Sequence, residues 1–256
     1  MVGGPDGKGM DCNSIALQSS VFDSRTDLHK DAMMEDLDEW EIWDKYPHHR
    51  NWLNKLYLAY SLNYQCGPGG YPVPESKNYI VRPVYNLAGM GLGAQVQFLE
   101  AGDRSSVPPG YFWCEYFDGP HYSATYQFCH DTLPYWKPLS CWQGTNSALN
   151  LTKFTRWIRI PDYAPQVPRQ LNVLSDVHYI NIEFKGNKPI EVHLRPSGNP
   201  DGSIHSDYNE YIPVWESGEH DAITMFQKGY SFISNQVDMS DVDTHTAERR
   251  LGFFVR

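Results

Sequence analysis

Residues 179–195, YINIEFKGNKPIEVHLR, restrict the possible folds of this chain more than any other stretch. Two runs alternate apolar and polar residues on either side of Gly186-Asn187, the pattern of an antiparallel hairpin whose alternate side chains share a face. Glu191, His193 and Arg195 then project from one face of the second arm, and Glu183 on the first arm faces Glu191 directly if the turn takes three residues. Polar side chains in a row on a strand call for water or for a shared partner. A solvated sheet face and a binding site both remain open on this pattern alone.

The rest of the chain supplies enough apolar material to bury a core. It has 256 residues, of which 41% are hydrophobic and 14% aromatic, so wholesale disorder is excluded. The formal charge of −10, from 21 Lys and Arg against 31 Asp and Glu, repels phosphate backbones and anionic lipid, which disfavours a general nucleic-acid-coating role. No window approaches the roughly 18 apolar residues of a membrane span, and the first residues, MVGGPDG, lack the basic-then-apolar order of a secretory signal, so a cytoplasmic protein is expected. Cys12, Cys66, Cys114, Cys129 and Cys141 are odd in number, scattered and never in a C-x-x-C pair, which points to reduced thiols. His48-His49, Cys129-His130 and His178 lack zinc-ligand spacing.

Along the chain, residues 1–11 read as a glycine-rich tail, and 31–44 (DAMMEDLDEWEIWD) as a helix with solvated charges and with Trp40, Ile42 and Trp43 packed on the body. Leu53, Leu56, Tyr57 and Tyr60 recur at helical spacing and place Lys55 on a helix that ends before Gly67-Pro68-Gly69-Gly70. A strand over 78–85 empties into a loop containing Gly89, Gly91 and Gly93, and 94–99 alternates again. Residues 111–117 form an apolar strand stopped by Asp118-Gly119-Pro120, with a further run, 121–128, at hairpin distance. Residues 150–160 read as strand and 165–174 as turn then helix, while the segment after Pro196 shows no sharp pattern.

The glycine loop joins two antiparallel runs, so neither a dinucleotide-binding turn nor a phosphate loop ending in G-K-[ST] is indicated. Such a loop can act as a plain flexible hairpin, or as a flap whose backbone N–H groups close over a polyphosphate. The second use needs cations, and Lys55 and Arg82 lie just upstream; taken singly, one reads equally as a surface helix lysine and the other as half of a structural ion pair. It also needs Mg²⁺, which Glu183 and Glu191 are suited to hold.

Four ordered segments resemble the ATP-grasp family of carboxylate–amine ligases: Asn54-Lys55-Leu56 before Gly70-Tyr71-Pro72-Val73-Pro74; Val81-Arg82-Pro83 with Gly89, Gly91 and Gly93; 114–123 (CEYFDGPHYS); and Glu191-Val192-His193-Leu194-Arg195-Pro196. The resemblance spans roughly residues 50–200 and implies an α+β ATP-grasp fold, two α+β subdomains with antiparallel sheets holding the nucleotide between them. The implied division is a tail and acidic helical segment over 1–50, a nucleotide-binding lid with glycine loop and hinge over 51–128, and a C-terminal part with the metal hairpin over 129–256. With only about fifty residues ahead of Lys55, the amino-terminal substrate domain of many members is expected to be missing or reduced.

By resemblance, Lys55 and Arg82 are the phosphate-binding cations and Gly89, Gly91 and Gly93 the lid over the phosphates. Glu115, Tyr116 and Phe117 are the hinge that meets adenine, and His121 stands where a ribose-binding acid is frequent. Glu183, Glu191 and His193 are the metal ligands, His193 replacing an asparagine and being a poorer ligand for hard Mg²⁺. Arg195 steadies the acyl phosphate or the substrate carboxylate. The implied activity is ATP- and Mg²⁺-dependent joining of a small-molecule or peptide carboxylate to an amine. A kinase on the same fold and a nucleotide-binding or interaction module that has lost catalysis, as Arg82, Cys114 and His193 would mark it, are the alternatives.

Overall fold

A computed structural model describes residues 39–85, 93–132, 134–147, 150–197, 208–216, 222–234, 242–243 and 248–256. Helix α1 (Glu39–Lys45) leads into a 3-10 turn, Pro47–Leu53, and then into α2 (Lys55–Ser61). Asn54 starts α2 by accepting the Tyr57 N–H on its side chain at 2.9 Å, which satisfies one of the amides that a helix start leaves free. The buried face of α2 is Lys55, Leu58 and Ala59, whereas Tyr57 and Tyr60 are exposed. The expected stripe is therefore rotated, because the 3-10 turn delays the helix start and a paired lysine takes an inward position.

A four-stranded antiparallel sheet follows, made of β1 (Cys66–Pro68), β2 (Lys77–Pro83), β3 (Gln95–Leu99) and β4 (Tyr111–Glu115) in the order β1-β4-β2-β3. One set of its alternating side chains, Tyr79, Val81, Leu99 and Trp113, packs with Val73 and Val107. Another, Phe112 and Cys114, packs with Ala59 of α2. Gly89 and Gly91 lie outside the described residues. Gly93, with φ +75°, closes on Pro83 and Tyr111, and a Cβ there would come within 2.6 Å of the Tyr111 hydroxyl.

The remaining strands are β5 (His121–Cys129), β6 (Tyr135–Ser147), β7 (Asn150–Arg159), β8 (Tyr179–Lys185), β9 (Lys188–His193), β10 (Glu210–Trp215), β11 (Ser231–Ser234), β12 (Val242–Asp243) and β13 (Glu248–Val255). They form a nine-stranded sheet ordered β11-β13-β10-β7-β6-β5-β8-β9, with β12 paired to β13. β4 and β5 thus sit in different sheets and are not a hairpin. The change of sheet falls at 116–120, ahead of the division expected at 128. Gly119, at φ +117°, packs on the β8–β9 turn, where the Gly186 N–H donates to the Pro120 carbonyl at 2.8 Å.

Three strands position the polar residues. Ala124, Tyr126, Ile180, Ile182, Phe184, Val192 and Leu194 turn to a core shared with Ile42, Trp52, Leu53, Leu58 and the 3-10 turn Arg169–Leu174. The opposite face carries His121, Ser123 and Thr125 on β5, Asn181 and Glu183 on β8, and Glu191 and His193 on β9, brought together by the pairs Ser123–Glu183, Thr125–Asn181, Glu183–Glu191 and Asn181–His193. The turn itself takes two residues, Lys185 pairing with Lys188, and a bulge between Phe184–Pro189 and Glu183–Glu191 skips Ile190. Without that extra residue Glu183 would face Ile190.

Candidate functional site

β9 is the edge strand of the large sheet, so residues of α1, α2 and the small sheet reach it from outside. Lys55, at the first turn of α2 and only 4% exposed, places Nζ 2.9 Å from Glu191 Oε2. Its own N–H donates to the Val84 carbonyl at 2.9 Å, which ties the helix start to the segment leaving β2. Arg82, also buried, stacks 5.3 Å over the Phe112 ring and donates from a terminal nitrogen to the carbonyl of the bulged Ile190 at 2.8 Å. Its Nε has no hydrogen-bond partner among the described residues. Lys55 and Arg82 therefore stand directly against the Glu191 arm.

Glu183, Glu191 and His193 each point a ligand atom into one small space, all three atoms within 4.8 Å of one another. Burial, and then the neighbouring Glu191, push the Glu183 carboxyl up. Burial acts the same way on Glu191, but Lys55 and then His193 outweigh it and the carboxyl ends below its usual range. The two neighbouring carboxyls are thus pushed in opposite directions, Glu183 up and Glu191 down.

Behind this cluster lies Glu39, whose place in the acidic run predicts a solvated charge. Glu39 is only 7% exposed and joins His193 Nδ1 at 2.7 Å and Arg195 at 2.8 Å. Burial would raise its pKa; His193 and then Arg195 overcome that and bring it down to about 2. An ionised Glu39 only accepts hydrogen bonds, so His193 Nδ1 carries the proton and Nε2 faces Glu191 Oε1 at 3.8 Å, too far for a hydrogen bond. Burial lowers the His193 pKa, yet Glu39 outweighs it and the net direction is up. The available signal was spacing: Glu39 precedes Ile42 by three positions and shares its buried helix face, whereas Trp40, expected to pack, is 62% exposed.

Arg195 and His121 adjoin this cluster. Arg195 spends one nitrogen on Glu39 and donates another to the Pro196 carbonyl at 2.9 Å. His121 is buried against Phe154 and Trp157, 3.5 Å from Glu183 Oε2, which places it with the carboxylates. Burial, and then Lys185, drive its pKa down to about 3, so the ring is neutral. Glu115 exchanges hydrogen bonds with Gln65 through both N–H and side chain, Tyr116 is exposed, and Phe117 packs edge-on to Tyr64 beneath Lys188. This is the crossing between the sheets. Cys66 and Cys114 are free thiols, and among the described residues no helix is long and apolar enough to cross a membrane.

The fold recurs in solved structures. The chain matches N5-carboxyaminoimidazole synthetase from Staphylococcus aureus, solved with ADP, at a TM-score of 0.52 and 10% identity over 93% of this chain and 80% of that one. L-amino acid ligase from Bacillus licheniformis matches at a TM-score of 0.52 and 12% identity over 80% of this chain. The fold is the ATP-grasp fold. The chain spans 66% of the ligase's length, and 60% of that of a protein of the ATP-grasp superfamily from Archaeoglobus fulgidus, matched at a TM-score of 0.40 and 14% identity. No family model and no curated protein matches the sequence.

Within this ATP-grasp fold the residues present fit a nucleotide and a divalent cation. The orphaned Arg82 Nε is a buried donor whose chemistry suits an anion, and Glu183 and Glu191 offer the oxygen ligands that a divalent cation requires. The third donor, His193, is an imidazole and fits Mg²⁺ less well.

Proposed function

We propose that the protein binds ATP between the small sheet and the β8–β9 hairpin and uses it to join a carboxylate to an amine. The supporting observation is the contact of the Lys55 and Arg82 cations with the Glu191 arm, at 2.9 Å and 2.8 Å respectively. Carboxylate oxygen attacks the γ-phosphorus, the bond to the ADP oxygen breaks, and an acyl phosphate forms; the amine then displaces phosphate and loses a proton. Lys55 and Arg82 offset phosphate charge, and Glu183 and Glu191 hold the cation, whose chemistry is to neutralise charge on the transferring group. Arg195 steadies the acyl phosphate or the substrate carboxylate, and the 115–117 segment meets the adenine. The partners are small-molecule or peptide carboxylates and amines.

Hydroxylamine trapping tests the reaction. Incubation with ATP, a divalent cation and a panel of amino acids and dicarboxylates is expected to release phosphate and yield a hydroxamate, and Glu191→Gln is expected to lower the rate at least a hundredfold. A stable phosphoester in place of a hydroxamate means a kinase. One observation favours a non-catalytic module, namely that Lys55 and Glu191 already neutralise each other. Nucleotide binding without phosphate release, on any carboxylate and amine, would decide for that reading.

A further inference from the structure

The centre has a donor set that departs from what a magnesium site requires, and the departure is built from behind. His193 is not a loose side chain at the rim: its Nδ1 proton is held by Glu39 Oε1 at 2.7 Å, and Glu39 is itself fixed by Arg195 at 2.8 Å. A histidine that ligates a metal through one nitrogen is oriented by a carboxylate on the other in this same way. The remaining nitrogen, Nε2, lies 3.8 Å from Glu191 Oε1. That gap is too long for a hydrogen bond, but it suits two ligands around one ion, since bonds of about 2.1 Å set ligand atoms about 3 Å apart at a right angle and about 4.2 Å apart across the ion. A second buried imidazole points into the same cluster: His121 Nε2 has no hydrogen-bond partner among the described residues and sits 3.5 Å from Glu183 Oε2.

We propose that Glu183, Glu191 and His193, with Glu39 as the positioning residue behind the imidazole, form a centre that selects a manganese-class divalent ion over magnesium. Mg²⁺ prefers oxygen and keeps its waters, whereas Mn²⁺ and the later first-row ions accept imidazole together with carboxylate. The selectivity lies in His193, and the rigidity that makes it effective lies in Glu39. The inference rests on the proposed cation site of an ATP-using enzyme, but it concerns the metal alone.

The test is direct binding to the nucleotide-free protein, with free Mn²⁺ followed by its electron paramagnetic resonance signal and displaced by added Mg²⁺. Mn²⁺ is expected to bind at least tenfold more tightly than Mg²⁺. His193→Asn is expected to abolish that preference, and Glu39→Gln to weaken Mn²⁺ binding about tenfold with less effect on Mg²⁺. Thermal unfolding checks that each variant is folded; should His193→Asn fail that check, Glu39→Gln carries the comparison. Equal affinities in the native protein, no Mn²⁺ binding at all, or a preference that survives the substitution in a folded variant overturns the proposal. Separate titration with ATP and Mg²⁺ distinguishes the two failures: nucleotide binding without Mn²⁺ preference removes only this inference, and Mn²⁺ binding without nucleotide binding removes only the ligase reading.

Discussion

Lys55 shows how much one residue can join in this molecule. A nearly buried ammonium is tolerated only with a partner, and its partner is Glu191, which in turn depends on Lys55 to remain ionised. Lys55→Met is therefore expected to strand a buried carboxylate and to destabilise by about 3 kcal/mol in urea unfolding, with Glu191→Gln restoring most of the loss. The Glu39–His193 pair gives a pH signature. Folding takes Glu39 from the ordinary 4.5 to about 2, so its contribution is complete above 4.5 and is lost as the pH falls through about 2. His193 is raised above 6.5, so its contribution is complete below 6.5 and fades as the pH rises through its folded value. Glu39→Gln is then expected to cost about 3 kcal/mol between pH 4.5 and 6.5 and less at either side, measured as unfolding free energy against pH. Lys55, Glu183, Glu191 and His193 were legible as polar residues at strand and helix spacing. Glu39 was not, because a charge within an acidic run reads as solvated until its long-range partners are known.

At the scale of elements, the bulge at Ile190 decides the site. A two-residue turn alone places Glu183 opposite Ile190, and the skipped residue brings Glu191 into register while freeing a carbonyl for Arg82. Arg82→Ala leaves that carbonyl without its partner and is expected to cost about 1–3 kcal/mol, with Arg82→Lys recovering part, both read from urea midpoints. The Asn54 cap is worth about 1 kcal/mol, so Asn54→Ala should lower the midpoint modestly and loosen Lys55. Strand positions were readable from alternation in β2, β3, β5, β8 and β9. Sheet membership was not: β4 and β5 look like a hairpin across Asp118-Gly119-Pro120, and only the packing of Gly119 on Gly186 shows the chain crossing between sheets. β10 to β13 likewise carry little local pattern, because their pairings, such as Tyr211 with Val255, are distant in sequence.

For the whole molecule, charged groups at the proposed ligand site add to the apolar packing of α2 in bridging the two sheets, with α2 and β2 reaching β9. A ligand seen only by the folded state raises the melting point, by about 2.7 kcal/mol of stabilisation at a hundredfold excess over the dissociation constant. For a chain of this size that is about 5–10 °C. The most direct measurement is thermal unfolding with ATP and a divalent cation against ATP with chelator, for the native protein, Lys55→Met and Arg82→Ala. A shift of that size is expected for the native protein with the cation, sharply reduced by chelator and absent in both variants; no shift, or one that persists in both, rules out nucleotide binding at this site.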